Sequence, residues 1–274
     1  MFMKNISIFC LTLKPGHEKK IKELSYIPVG LGTQIFSKEC FNDKTGENIA
    51  SKNLFYGEYT FHYWIWKNYL DKIQTEWVGF CQYRKFFVTK DLNEEKLSYQ
   101  ELQNYIIKNI DENQNFDCIL GKQFTVQNFK ISKIIKNHFL EFLMKPNLLF
   151  NKKKRNIKFH FDLFHGKGNL DAAINFLDEK DKNDFRYFME SRTSFNPHNM
   201  FICRTKILKN YYETIFPWLE RCEKIFGFNN LKGYGLQRIY GFLAERFLSY
   251  WFNKYYLVKE NSIIVKDLSD YNDL

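Results

Sequence analysis

Proline and glycine are scarce in this 274-residue chain, 5 and 13 respectively, so neither a collagen-like repeat nor a flexible low-complexity segment is encoded. No apolar run approaches the roughly 20 residues that cross a bilayer. The N-terminal MFMKNISIFCLTL stretch is too short for that and lacks a small-residue cleavage site, so it reads as a buried first strand. Cys10, Cys40, Cys81, Cys118, Cys203 and Cys222 are scattered without a C-x-x-C pair, which gives no sign of a zinc site or a disulfide framework and fits a reducing cytoplasm. The G-x-x-x-x-G-K-[ST] phosphate loop, the G-x-G-x-x-G fingerprint and the G-x-S-x-G nucleophile elbow are all absent, which disfavours ATPases, dehydrogenases and hydrolases of those classes.

Apolar bulk is plentiful instead. The chain holds 29 Phe and 17 Tyr, and 45% of it is hydrophobic, enough for one large α/β domain or a core with a helical appendage. The formal charge is +10, with lysines gathered in Lys14 to Lys22 and in Lys152-Lys153-Lys154-Arg155. Such a surface permits contact with phosphates, nucleic acid or an anionic membrane and selects none of them.

The order of patterns is that of an α/β sheet. Ile6 to Leu13 reads as a strand turned at Lys14-Pro15-Gly16. Ser51 to Leu70 reads as one helix, opened by Ser51 and packed through Tyr59, Tyr63, Trp66 and Leu70. Trp77 to Cys81 reads as a buried strand ending in the polar group Gln82-Tyr83-Arg84-Lys85, and ligands gather at such strand ends. A helix at Ser98 to Ile110 and a strand at Asp117 to Leu120 follow. Phe124 to Asp184 reads as a basic, aromatic helical insertion, periodic near Ile131 to Leu143 and Asn169 to Leu177. A strand at Phe195 to Cys203, helices at Ile207 to Ile225 and Gly235 to Tyr255, and a polar tail complete the chain.

Several groups could carry chemistry. Glu58 and His62 lie four residues apart on the first long helix, where a carboxylate can orient an imidazole or merely stabilise the helix. Arg84 offers a planar fork of donors suited to a diphosphate, with Tyr83 and Gln82 beside it; the plainer alternative is a cap on the sheet edge. Asp43-Lys44-Thr45-Gly46-Glu47-Asn48 is a turn rich in oxygen and amide groups. His160, Asp162 and His165 alternate with aromatics but lack the spacing of a metal set, and binding of an acceptor suits them better. On the last helix Arg238, Gly241 and Glu245 share a stripe, and Glu245 reads either as a functional carboxylate or as a buried partner of Arg238 or Arg246.

Five ordered segments resemble a bacterial family formerly described only as a domain of unknown function, found in capsular, exopolysaccharide and O-antigen gene clusters and regarded as glycosyltransferases. They are Asp43-Lys44-Thr45-Gly46-Glu47-Asn48-Ile49, Asn53 to Thr60 with Tyr63 to Asn68, Val78 to Phe87, Asn199-Met200-Phe201-Ile202, and Gly241 to Phe247. The resemblance covers most of the chain. It departs at Gln82, where the family pattern carries histidine.

The resemblance implies a GT-A-like, Rossmann-related fold: a mixed, mostly parallel sheet flanked by helices, with a helical insertion. It implies one glycosyltransferase domain over 1–274, with a donor-binding half (1–123), an acceptor-side half (124–258) and a tail (259–274). The implied activity is transfer of a hexose, galactose-type favoured, from a nucleotide sugar, UDP-linked, to a growing capsular, exopolysaccharide or O-antigen glycan.

A transferase must stabilise a departing nucleoside diphosphate and activate an acceptor hydroxyl. Arg84 and Glu245 are assigned those catalytic roles. Donor binding is expected from Asp43, Asn48, Glu58, Gln82, Tyr83 and Arg84, and acceptor binding from His165, Asp171, Asn199, Arg238 and Arg246. The D-x-D pair with which many such enzymes hold Mg²⁺ or Mn²⁺ is absent, Asp270 and Asp273 being a poor substitute. No metal ligand is therefore assigned, and Mn²⁺ or Mg²⁺ stays open as cofactor. The expected partners are the nucleotide-sugar donor and a glycan or lipid-linked glycan acceptor. The expected location is the cytoplasm, with peripheral contact at the inner face of its membrane. The alternatives are a nucleic-acid-binding module, for which no motif is present, and an inert carbohydrate-binding relative.

Overall fold

β1 (Ile6–Thr12) sends Phe9 and Leu11 to one face of a sheet and Ile6, Ile8 and Cys10 to the other, the two-residue alternation of a strand covered on both sides. The computed structural model describes residues 5–111, 113–127 and 155–271. Ten further strands follow in it: β2 (Ile27–Gly30), β3 (Phe41–Asn42), β4 (Trp77–Gln82), β5 (Lys85–Phe87), β6 (Cys118–Gly121), β7 (Phe124–Thr125), β8 (Ser194–Phe195), β9 (Phe201–Arg204), β10 (Val258–Asn261) and β11 (Ile263–Val265).

The main sheet runs β10-β6-β9-β4-β1-β2-β3, with β5 and β11 joined beside β4, while β7 and β8 pair separately. Along that path each neighbouring pair is parallel except the two that involve β9, which runs against β4 and β6. Gly79 permits this packing, since a Cβ there would meet Ile202 at 2.8 Å and Ile8 at 3.2 Å. One core forms between the sheet and the helices Asn53–Tyr56, Tyr59–Trp64, Ile207–Phe226 and Ile239–Tyr255; the other lies under Glu18–Glu23 and Tyr99–Tyr105. The expected mixed, mostly parallel α/β sheet flanked by helices is what the chain builds. No described helix is long and apolar enough to cross a membrane.

Five segments differ from the sequence expectation. The helix expected over 51–70 breaks at Gly57, whose φ of 58° suits only glycine, and Ser51 gives it no side-chain cap. The helix expected over Ser98 to Ile110 opens on a reciprocal Ser98–Glu101 capping box but stops at Tyr105. Its next amides are drawn into extended pairing, Ile107 N–H donating to the Phe87 carbonyl at 3.1 Å. The strand expected over 195–203 is two strands separated by a turn at His198 and Asn199, both with positive φ. The polar C-terminal segment is not a tail: β10 pairs with β6 and β11 with β5, and its charged side chains belong to a sheet edge. The last helix is also divided, at Arg238, into Tyr234–Gln237 and Ile239–Tyr255.

The helical pattern near Ile131 to Leu143, Lys152 to Lys154 and Asp273 lie outside the described residues. Within the other basic stretch, Lys14 bonds Ser269, Lys20 bonds the Leu268 carbonyl and Lys22 pairs with Glu39, so much of that charge is tied to the protein's own surface.

Candidate functional site

The reversal of β9 creates the site. Because β9 runs against β4, its entry turn lies at the sheet edge where β1 and β4 end, so His198 and Asn199 meet Thr12, Gln82, Tyr83, Arg84 and Lys85. The break at Gly57 brings Glu58 to the same edge, and the start of the Ile239–Tyr255 helix adds Gly241, Phe242 and Glu245. Together they line a cleft of about 260 Å³ at strand carboxyl ends, where open α/β sheets take ligands.

Two carboxylates face this cleft, each held by donors on both of its oxygens. Glu58 accepts from Asn199 Nδ2 at 3.0 Å and Gln82 Nε2 at 3.3 Å on one oxygen, and from Arg238 Nη2 at 3.3 Å on the other. Glu245 accepts the His198 amide at 2.6 Å on one oxygen and pairs with Arg246 through the other. Gly57 makes room for this wiring, since a Cβ there would sit 2.0 Å from Arg238 Nη2. Gly241 serves the same end: Asn199 Nδ2 donates to its carbonyl at 3.1 Å, and a Cβ on it would press on the Tyr56 carbonyl at 3.2 Å.

The entry turn is the strained part. His198 has φ 83° and Asn199 φ 52°, conformations that cost non-glycine residues of order 1–3 kcal/mol. The amide grip of Glu245 and the two bonds of Asn199 hold them there. Both acceptors of the Asn199 amide are oxygens, which fixes its orientation and leaves its buried Oδ1 without a partner. A carbonyl so placed asks for a donor from a ligand. Lys85 Nζ donates to His198 Nδ1 at 3.0 Å. Burial, aided by Lys85 and Arg84, lowers the His198 pKa to about 4, so the ring is a neutral acceptor. Burial likewise lowers Lys85.

The residues expected at the site separate into those the fold brings together and those it does not. Glu58, Gln82, Tyr83, Arg84, Asn199, Arg238 and Glu245 all line the cleft. Arg246 does not; it is buried beneath Glu245, over the Phe195 ring at 4.2 Å. His165 is buried too, donating from Nδ1 to the Gly235 carbonyl at 3.0 Å and stacked on Phe242. Asp171 lies away from the cleft, paired with Lys158 and Arg186. Asn48 spends its side chain on its own loop, bonding Lys44, Gly46 and Ala50. Asp43 is buried and is not among the residues that line the cleft, with burial raising its pKa. His62 does not reach the cleft with Glu58: its ring packs on Phe80 and Phe201 in the core, with Nδ1 on the Tyr212 hydroxyl at 2.9 Å. Lys85 was expected only within the polar group that closes β4, and His198 and Tyr234 carried no expectation. The Pro197-His198-Asn199 run before an apolar strand was the available signal for the turn.

The buried histidines set an acid limit. Burial lowers His62 to about 3 and, with Arg246 contributing, His165 to about 3. The unfolded pKa is about 6.5, so the unfolded chain binds the more protons as pH falls. Stability is therefore full above about pH 6.5 and is lost progressively towards the folded values. Thermal melts across this range should show a falling midpoint, and His62→Leu should flatten the fall; a midpoint indifferent to pH would mean that these rings are solvated.

Among the described residues no group of three or more His, Cys, Asp or Glu side chains converges to hold a metal ion. A divalent ion bridging a diphosphate needs fewer protein ligands, but both cleft carboxylates are already held by guanidinium and amide donors. The residues described do not form a dedicated cage for Mn²⁺ or Mg²⁺.

The solved apo structure of WbbM, a bifunctional glycosyltransferase, matches 96% of this chain with a TM-score of 0.62 at 22% identity, a likeness of fold. The chain spans 45% of that protein's length. No curated protein matches the chain. The family model described as a domain of unknown function, DUF4422, matches residues 8–256, and the protein belongs to that family.

Proposed function

We propose that the protein transfers a hexose from a nucleotide sugar, UDP-linked, to a hydroxyl of a growing capsular, exopolysaccharide or O-antigen glycan. The observation that carries this reading is the composition of the cleft: Arg84, Lys85 and Arg238 stand around Glu58 and Glu245 at the strand carboxyl edge. Cations in that number suit the charge of a leaving diphosphate, and a carboxylate opposite suits a hydroxyl proton. In the reaction the acceptor oxygen bonds to the anomeric carbon. The bond from that carbon to the diphosphate oxygen breaks, its electron pair staying on the diphosphate. The hydroxyl proton passes to the Glu245 carboxylate. Asn199 Oδ1 offers the sugar an acceptor already stripped of water. The cleft draws on both the 1–123 and the 124–258 parts of the chain.

Thermal shift and nucleotide release over UDP-, GDP-, CMP- and dTDP-sugars, galactose-type donors first, with and without Mn²⁺, test the reading. One donor should raise the melting temperature and release its nucleotide when a glycan acceptor is added. Silence across the panel together with salt-sensitive binding of an oligonucleotide would replace it with the nucleic-acid reading.

A further inference from the structure

The cleft does not end at His198. That residue also lines a second cavity, with Asp91, Lys122, Gln123, Phe124 and Ser262, and Gln123 in turn lines a third, with Tyr187, Arg192, Asn196, Asn253 and Lys254. The second and third measure about 420 and 330 Å³. Each of the three carries one large aromatic ring left open to solvent: Tyr234 in the cleft is 67% exposed, Phe124 50% and Tyr187 72%. Along the three cavities these rings alternate with amides, hydroxyls and charges.

That pairing of a flat apolar face with fixed polar groups matches a pyranose ring, which has an apolar C–H face and a rim of hydroxyls. Asn196 is fixed by buried and partly buried bonds, and Gln123 and Asp91 by bonds at the surface. Asn196 Oδ1 accepts from Ser249 Oγ at 2.9 Å and Asn253 Nδ2 at 3.0 Å, and its Nδ2 donates to the Gly121 carbonyl at 2.7 Å. Ser194 Oγ donates to Gln123 Oε1 at 2.5 Å, and Lys122 with Ser262 holds Asp91. Such a floor keeps the donors and acceptors of the trench in place before a ligand arrives.

We infer that the three adjoining cavities form one acceptor trench that binds an oligosaccharide over several sugars, so that the enzyme elongates a chain already several residues long. The inference rests on the nucleotide-sugar reading of the cleft. The wall positions Phe124 and Tyr187 act on acceptor length and leave the donor untouched, because neither lines the cleft.

The test uses the whole protein with two probes: UDP, and ladders of β-linked galactan and α-linked glucan oligosaccharides from disaccharide to hexasaccharide. Saturation-transfer NMR and calorimetry should show affinity for one ladder rising about tenfold with length, the scale of one aromatic anchor. In Phe124→Ala and Tyr187→Ala that gain should vanish, with UDP binding and melting temperature unchanged. Binding that does not grow with length, no binding of either ladder while UDP still binds, or a length dependence that survives both variants overturns the trench and leaves the donor site standing. Loss of UDP binding in the unaltered protein sinks the donor reading and the trench with it.

Discussion

Glu245→Gln should lower the transfer rate by about 10²–10⁴-fold, the range a positioned general base contributes, with nucleotide affinity essentially unchanged. The wiring of the residue explains why the effect is not confined to proton transfer. A carboxylate accepts from the His198 amide with one oxygen and from Arg246 with the other. A glutamine amide can accept from only one of these donors and presents its own NH₂ to the other. The Arg246 guanidinium, 3% exposed, would keep its charge without a carboxylate. Breaking a buried pair on one side costs about 3–5 kcal/mol, so the melting temperature should fall too. Rates compared well below that temperature separate the chemistry from the folding. If Glu245→Gln transfers at the full rate and Glu58→Gln does not, the base is Glu58.

The parts of the fold legible in the sequence were those that one segment decides alone. The apolar run of β1, the buried run of β4 and the helix start at Ser98 each follow from a few adjacent residues, and each is present. The site was legible where a polar group closed such a run, as Gln82 to Lys85 closes β4. It was misread where the outcome depends on distant partners. His62 and Glu58 keep helical spacing, the His62 N–H donating to the Glu58 carbonyl, but the core beneath the sheet claims the imidazole while Glu58 lines the cleft. Arg246 sits one residue from Glu245, and helix geometry puts neighbours on different sides: Glu245 to the cleft, Arg246 to the interior. His198 became visible only with the direction of β9, because nothing local says that this strand is reversed.

Arg84→Ala should reduce turnover by about 10²–10³-fold, the loss that follows removal of one preorganised donor to developing charge. Stability should stay within about 0.5 kcal/mol of the original protein. The second expectation follows from how little Arg84 does for the fold. Its side chain is exposed, leans over the Tyr83 ring at 5.8 Å and has no carboxylate partner among the described residues. Its backbone is fixed independently, the carbonyl accepting from Lys266 N–H at 3.0 Å. Other arginines of this protein are paired, Arg204 with Glu76 and Arg221 with Asp178. An unpaired guanidinium at the mouth of a cleft, on a backbone that does not need it, is poised for an anion. Arg84→Lys separates charge from shape: a point charge would recover part of the rate, and the planar fork, which holds two diphosphate oxygens at once, would account for the remainder. Equal turnover in all three proteins would remove Arg84 from the mechanism and leave Lys85 and Arg238 to hold the leaving group.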